Sequence, residues 1–355
     1  MPAGRAGVTV PYAVSDPLLP IGWSDRWAAL LAEHGPSAEP GRVMRHDGVS
    51  VLARTRDGER TVKLRRGAEP PTVGDWLALD GEVLLGVLDR ASLLRRREAG
   101  GDAPQLLAAN IDLVLIVCGL DRPVRTGRIQ RGEALAWDAG AVPVLVLTKA
   151  DIAGDELDDL LAAVDDSHPG LERHVTSSVE GDGIDELRQR LAGHTSVALG
   201  ESGAGKSRLV NAVLEEDAAA VGAVRAGDAK GRHTTTNRQL HLLPKGGVLI
   251  DSPGIREVGL AGDEESVEAT FTDIEELALE CRFNDCAHEG EPGCAVLAAV
   301  AAGDLAAARL EDYRELLAEA LSAARRADEH ERRRHEKRFT KMVRSSTDHK
   351  ARDRP

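Results

Sequence analysis

The chain has 355 residues, with 45 Lys and Arg against 59 Asp and Glu, for a formal net charge of −14. At about 100–200 residues per domain this length predicts two or three domains, and no apolar run reaches the roughly 18 residues of a membrane span. Four cysteines rule out a disulfide scaffold, the first residues lack an apolar leader with a small-residue cleavage site, and the overall acidity argues against a protein that coats nucleic acid indiscriminately.

Residues 1–37 are rich in Ala, Pro and Gly and are expected to form a flexible arm, with a short helix at most near Trp23–Glu33. From residue 38 to 97 the texture becomes five short, partly alternating stretches: GRVMRHDG, VSVLART, ERTVKLRRG, DWLALDG and EVLLGVLDR. Five such strands predict a small β-barrel, with Asp75 in a turn and Trp76 in the barrel core. Arg42, Arg45, Arg54, Arg56, Lys63, Arg65 and Arg66 lie on or beside these strands, so the barrel is expected to present a basic surface to RNA. Arg95–Asp102 reads as a charged connector.

Between 98 and 262 the pattern changes. IDLVLIVCG and VPVLVLTKAD are near-continuous apolar strands, and VALGESGAGKS and GGVLIDSPG are strand-to-loop transitions. Helices are expected over Gly127–Ala139, Glu156–Val164, Ile184–Leu191 and Ser207–Leu214. Strands buried on both faces and alternating with helices predict a parallel α/β sheet. Residues 263–340 turn helical, with candidates at Thr272–Glu280, Cys294–Ala302 and from Leu305 onward. Residues 341–355 are expected to be a disordered basic tail, since Lys and Arg outnumber Asp and Glu by twelve to six in Leu321–Pro355.

Gly200-Glu-Ser-Gly-Ala-Gly-Lys-Ser207 fits the phosphate-loop pattern without a mismatch, between a strand and a helix. Gly200, Gly203 and Gly205 let the backbone of Glu201, Ser202 and Ala204 turn N–H groups toward a phosphate, ahead of Arg208 in the helix that follows. Lys206 would bridge the β- and γ-phosphates, and the Ser207 hydroxyl would ligate Mg²⁺. Asp251-Ser-Pro-Gly254 ends the next apolar strand, where Asp251 would hold Mg²⁺ through water and the Gly254 N–H would sense the γ-phosphate. Thr148-Lys149-Ala150-Asp151 closes another strand. A carboxylate at Asp151 accepts from both N1–H and the exocyclic amine of guanine, a donor pair adenine lacks. The Lys149 stem can cover one face of the base, Thr148 stands where Asn is more usual, and Ser177 of Thr176-Ser-Ser178 could serve the base O6. These base elements precede the phosphate loop, the reverse of the usual order, so the domain is circularly permuted. Cys281, Cys286, His288 and Cys294, spaced C-x₄-C-x-H-x₅-C, suit one tetrahedral Zn²⁺, and four protein ligands make it a structural site. Cys118 reads as a buried apolar residue.

TKAD, TSS, GESGAGKS, AKGRHTTT, DSPGIRE and the cysteine segment, in this order, resemble the RsgA family of circularly permuted bacterial GTPases. The resemblance spans about residues 40–340. It implies a multidomain fold of an OB-fold β-barrel, a permuted P-loop GTPase α/β domain and a C-terminal zinc-binding helical domain. It further implies a cytoplasmic GTP hydrolase that acts late in small ribosomal subunit maturation, contacts ribosomal RNA and is stimulated by that subunit. GTP and GDP with Mg²⁺, and one Zn²⁺ per chain, would be its ligands; no membrane or DNA partner is expected, and the chain is expected to be a monomer. Ile255 stands where many GTPases carry a water-orienting Gln. His233 of the GRHTTT segment is therefore the candidate to orient water, with Arg232 or a ribosomal group as competitors, and Thr234 or Thr235 as the Mg²⁺-binding threonine. Two other readings are a permuted GTPase acting on the large subunit or another RNA–protein complex, and a P-loop small-molecule kinase.

Overall fold

The computed structural model describes residues 16–64, 70–96, 105–154, 157–201, 203–215, 238–251, 264–283, 285–318, 320–322 and 325. Five strands, β1 (Glu39–His46), β2 (Ser50–Thr55), β3 (Gly58–Lys63), β4 (Trp76–Asp80) and β5 (Val83–Val87), match the expected set. β1 pairs with β2 on one side and β4 on the other, β2 with β3, and β4 with β5, all antiparallel. β3 lies against β5, which closes the sheet in the strand order of an OB-fold barrel. Val43, Val51, Ala53, Val62, Leu77 and Leu79 fill it.

Strand alternation moves Trp76 out of that core. Leu77 and Leu79 point into the barrel, so Trp76 and Ala78 face the other side. Trp76 is nevertheless fully buried, because the segment before β1 covers it. A short 3-10 turn (Leu19–Ile21) leads into α1 (Asp25–Ala32), and the Trp23 and Trp27 rings lie 4.8 and 6.2 Å from that of Trp76. Residues 16–37 are thus a packed cover and not the flexible arm expected from composition; three indoles bury enough apolar surface to order a short segment.

β6 (Leu93–Arg96) pairs antiparallel with β7 (Gln105–Ala109), and of the stretch read as a connector only Arg95 and Arg96 are described, as the end of β6. The main sheet then begins. β8 (Leu113–Gly119), β9 (Val142–Thr148), β10 (Arg173–Thr176), β11 (Thr195–Gly200) and β13 (Val248–Asp251) are parallel, in the order β10-β9-β8-β11-β13. Alternate residues of β8 divide between its faces. Val114, Ile116 and Cys118 pack toward α2 (Thr126–Asp138) and α3 (Leu157–Ser167). Leu113, Leu115 and Val117 pack toward α4 (Ile184–Leu191) and α5 (Lys206–Leu214). In α4, Ile184, Leu187 and Leu191 recur at helical spacing on the buried face, with Asp185 and Glu186 in the first turn and Arg188 and Arg190 in the last, as the helix dipole favours.

β12 (Gln239–Leu242) is antiparallel to β13 and pairs at Gln239 with Arg45 of β1. It joins the barrel and the parallel sheet into one continuous sheet. Arg42, expected on the basic surface, is buried in this seam. Its guanidinium donates to the carbonyls of Ile21, Gly74 and Asn110 and to the Thr195 hydroxyl, and it lies over the Trp76 ring. Burial pushes it down to about 10, so it remains charged at neutral pH. Arg45 and Arg56 are paired with Asp47 and Asp16.

The C-terminal core is helical: α6 (Glu264–Thr270), α7 (Thr272–Ala278), α8 (Ala295–Ala302) and α9 (307–318). Val267, Phe271, Ile274, Val296, Leu310, Tyr313 and Leu316 pack there together with Ala134 of α2. Arg309 of α9 pairs with Asp273 and donates to the carbonyl of Ser167 at the end of α3, which fixes this core to the parallel sheet's helices. Among the described residues no helix is long and apolar enough to cross a membrane.

Candidate nucleotide site and metal centre

The C-terminal ends of the parallel strands bring the phosphate loop and the base loop together, the crevice where open α/β sheets bind ligands. Gly119 at the end of β8 is in register with Thr148 at the end of β9, which in turn faces Thr176 at the end of β10. The phosphate loop leaves β11 at Gly200 and enters α5 at Lys206 through Gly205, whose φ is +85°. A Cβ on Gly200 would stand 2.3 Å from the Val117 carbonyl oxygen, so the loop needs glycine there. Lys206 Nζ donates to the Gly200 and Glu201 carbonyls of its own loop. Glu201 is paired with Arg128 of α2 at 2.5 Å, Ala204 is buried, and Arg208 projects to solvent.

The base loop is tied to the phosphate loop by two side chains. Thr148, buried, donates its hydroxyl to the Ala204 carbonyl at 2.6 Å. Lys149, in the left-handed region at φ +64°, donates from Nζ to the Gly203 carbonyl at 2.7 Å. Ala150 and Asp151 follow in a short 3-10 turn. Ser177 is buried, and its hydroxyl donates to the Asp151 carboxylate at 2.7 Å. Its backbone N–H is taken by the Asp182 carbonyl. Ser177 in this arrangement orients Asp151 and does not offer its N–H to a base O6. Thr148 likewise spends its hydroxyl on the phosphate loop. Sequence reasoning missed Asp121, in the loop after β8, which lies 2.7 Å from Lys149 Nζ. Its carboxyl is held well below the usual carboxylate range, first by Arg122 and then by Lys149.

Ser207, in the first turn of α5, and Asp251, the last residue of β13, stand at the ends of the neighbouring strands β11 and β13. A hydroxyl and a carboxylate in these places fit the oxygen donor set of Mg²⁺. Ser202, Arg232, His233, Thr234, Thr235, Gly254 and Ile255, together with the basic tail, lie outside the described residues.

The cysteine segment folds into a compact donor cluster. The ligand atoms of Cys281, Cys286, His288 and Cys294 all lie within 4.8 Å of one another. His288 presents Nδ1, 3.4 Å from Cys294 Sγ and 3.7 Å from Cys281 Sγ. Cys294 is the N-cap of α8, and its sulfur accepts the Leu297 N–H, while Cys281 sulfur accepts that of Ala295. Backbone donors of this kind favour thiolates, so three sulfurs and one imidazole nitrogen fit tetrahedral Zn²⁺ with no open position. Glu291 braces the intervening loop, accepting from the N–H groups of Ala287, Glu289 and Gly290; its own and neighbouring N–H groups hold its carboxyl down to about 2. Cys118, on β8, is buried away from this cluster, and burial pushes its thiol up to about 11.

Comparison with known proteins agrees with this geometry. A model of the RsgA GTPase family matches residues 87–261. The small ribosomal subunit biogenesis GTPase RsgA of Streptomyces avermitilis is 44% identical over 318 residues, covering 86% of each chain. RsgA 2 of Vibrio parahaemolyticus is 39% identical over 94% of this chain and 93% of its own. Among solved structures, YjeQ from Thermotoga maritima superposes with a TM-score of 0.61 at 29% identity, over 80% of this chain and 99% of that one. YloQ, a circularly permuted GTPase, shares the fold with a TM-score of 0.59 at 24% identity, over 82% of this chain and 97% of that one. With a permuted phosphate-loop domain set between an OB-type barrel and a Cys₃His helical domain, the chain belongs to the RsgA family of GTPases.

Proposed function

We propose that this chain hydrolyses GTP as a switch in the maturation of the small ribosomal subunit, in the cytoplasm, with its hydrolysis stimulated by that subunit. The observation that carries the nucleotide assignment is the pair of ties from Thr148 and Lys149 to the Ala204 and Gly203 carbonyls. They join the loop that carries Asp151 directly to the phosphate loop, the two elements that would meet the base and the phosphates of one nucleotide. The carboxylate held by Ser177 selects guanine by accepting from its two adjacent donors. Lys206 exchanges its loop carbonyls for phosphate oxygens, because ionised acceptors bind an ammonium more strongly than neutral carbonyls do. Ser207, and Asp251 through water, would hold Mg²⁺, which when bound would supply charge neutralisation at the phosphates. His233 orients the attacking water in place of the Gln that Ile255 replaces, and Thr234 or Thr235 would bind Mg²⁺. The division of labour follows the chain: 16–37 covers the barrel, 38–97 contacts ribosomal RNA, 98–262 binds and hydrolyses GTP, 263–340 would be held by zinc, and 341–355 adds basic charge.

The test is GTP hydrolysis by the purified chain, alone and with isolated small or large subunits, with ATP as control. Stimulation by the small subunit alone, specific to GTP, is the expected result. Equal turnover with either subunit, or with none, would refute the assignment to small-subunit maturation.

A further inference from the structure

The loop after β8 belongs to no motif of the phosphate or base site, yet it touches both. Leu120 N–H is bonded to the Thr148 carbonyl, which sets the loop beside the base strand. The next residue, Asp121, has one oxygen 2.7 Å from Lys149 Nζ, and that ammonium also donates to the Gly203 carbonyl at 2.7 Å. Arg122 also holds this carboxylate, through Nε to the other oxygen at 3.2 Å and through a terminal nitrogen to the shared oxygen at 2.9 Å. Asp121 and Lys149 crowd the space beside Gly119 at the strand end. A Cβ on Gly119 would lie 2.6 Å from the Asp121 carboxylate and 3.5 Å from Lys149 Cε. The Lys149 stem therefore lies flat between the end of β8 and Gly205, whose Cβ position is 3.8 Å from the same carbon.

We propose that Asp121 is a positioning residue of the nucleotide site that acts through Lys149: its carboxylate clamps the ammonium onto the Gly203 carbonyl and so presents the aliphatic stem as a ready platform for the base. A lysine side chain is among the costliest to order. A neutral carbonyl alone is a weak anchor for an ammonium at a solvent-facing site, whereas a carboxylate adds a charge-assisted bond. Ordering done in advance is not charged against nucleotide binding. Because the platform meets the base and not the γ-phosphate, Asp121 contributes equally to GDP and GTP, and affects KM without affecting kcat.

This inference rests on the reading of Lys149 as the base platform, and the experiment separates the two. Full-length wild type, Asp121→Asn, Lys149→Met and the double variant are titrated with fluorescently labelled GDP and GTP, and stimulated hydrolysis is measured at saturation. Asn keeps the size of Asp at an exposed position, and a thermal melt of each variant checks folding. Asp121→Asn is expected to weaken both nucleotides alike, by about tenfold, with kcat unchanged. In the Lys149→Met background the same change is expected to have no further effect. Unchanged affinity in Asp121→Asn, or a full additional loss in the double variant, overturns the role of Asp121. Unchanged affinity in Lys149→Met overturns the platform reading itself, and the Asp121 proposal with it.

Discussion

Replacing Arg42 by Met tests whether the seam between the barrel and the parallel sheet is held by this one guanidinium. Methionine keeps an unbranched stem against Trp76 and removes every donor. Four acceptors lose a partner: the carbonyls of Ile21, Gly74 and Asn110, and the Thr195 hydroxyl oxygen. They are not equal. The Gly74 carbonyl keeps a donor in Asn110 Nδ2 at 3.1 Å, and the contact to the Asn110 carbonyl is long at 3.4 Å. The cost therefore falls on the Ile21 carbonyl and the Thr195 hydroxyl, each about 1–3 kcal/mol if left buried without a partner. Relief of the charge's desolvation returns part of this, less the attraction of the Asp112 and Asp75 carboxylates that is lost with it, so a net loss of about 2–4 kcal/mol is expected. Three of the chain's four tryptophans, Trp23, Trp27 and Trp76, pack at this seam, so intrinsic fluorescence reports it directly. At roughly 2–4 °C per kcal/mol for domains of this size, the fluorescence-detected melt should fall by about 4–16 °C. Arg42→Lys, with one compact cation in place of the fork, should recover only part of the difference. A Met variant that melts within a degree of wild type would show that the seam is held by apolar packing alone.

Two further variants probe the sites. Thr148→Val preserves shape and removes the bond to the Ala204 carbonyl; a loss of about 1–2 kcal/mol, roughly tenfold in GDP affinity by titration, is expected, and an unchanged affinity would mean that the two loops do not need this tie. Cys286→Ala removes one donor of the Cys₃His cluster; zinc measured by elemental analysis should fall from one ion per chain to a trace, and a full ion retained would refute the ligand set.

The elements that sequence reasoning recovers are those whose hydrophobic pattern is local. The five barrel strands, the apolar strands β8 and β9, and α4 follow from alternation, continuous burial and helical spacing within a few residues. The Cys₃His cluster follows from donor chemistry packed into one short segment. What escapes reading is set by partners far along the chain. Arg42 looks like its basic neighbours on a strand until Ile21 and Thr195 are brought to it. Trp76 reads as barrel core because nothing in DWLALDG marks which face the first tryptophans will cover. β12 is only partly covered and carries the polar residues Gln239 and His241, so its four residues give little strand signal. At the site the motif residues were legible, but their jobs were not. Whether a hydroxyl such as Thr148 or Ser177 faces the nucleotide or steadies a neighbour depends on which acceptor the fold places nearest. Asp121 left no signal, since an acidic residue after a strand is common.

The pairing of β1 with β12 also orders events during synthesis. The barrel strands come early in the chain, but the end of β1 at Arg45, paired with Leu52 of β2 on one side, acquires its partner on the other side only when Gln239 is made. Arg42 reaches a hydroxyl 153 residues further on. Chains fold from the N-terminus as they emerge, and contacts this distant form slowly. Until then the nascent barrel carries an open strand edge at the end of β1, the kind of surface that invites pairing with another chain. A chain released before β12 keeps that edge for its lifetime. The shared strand therefore makes the barrel's final stability conditional on a nearly finished nucleotide domain, so that truncated products are the ones most exposed to aggregation and proteolysis.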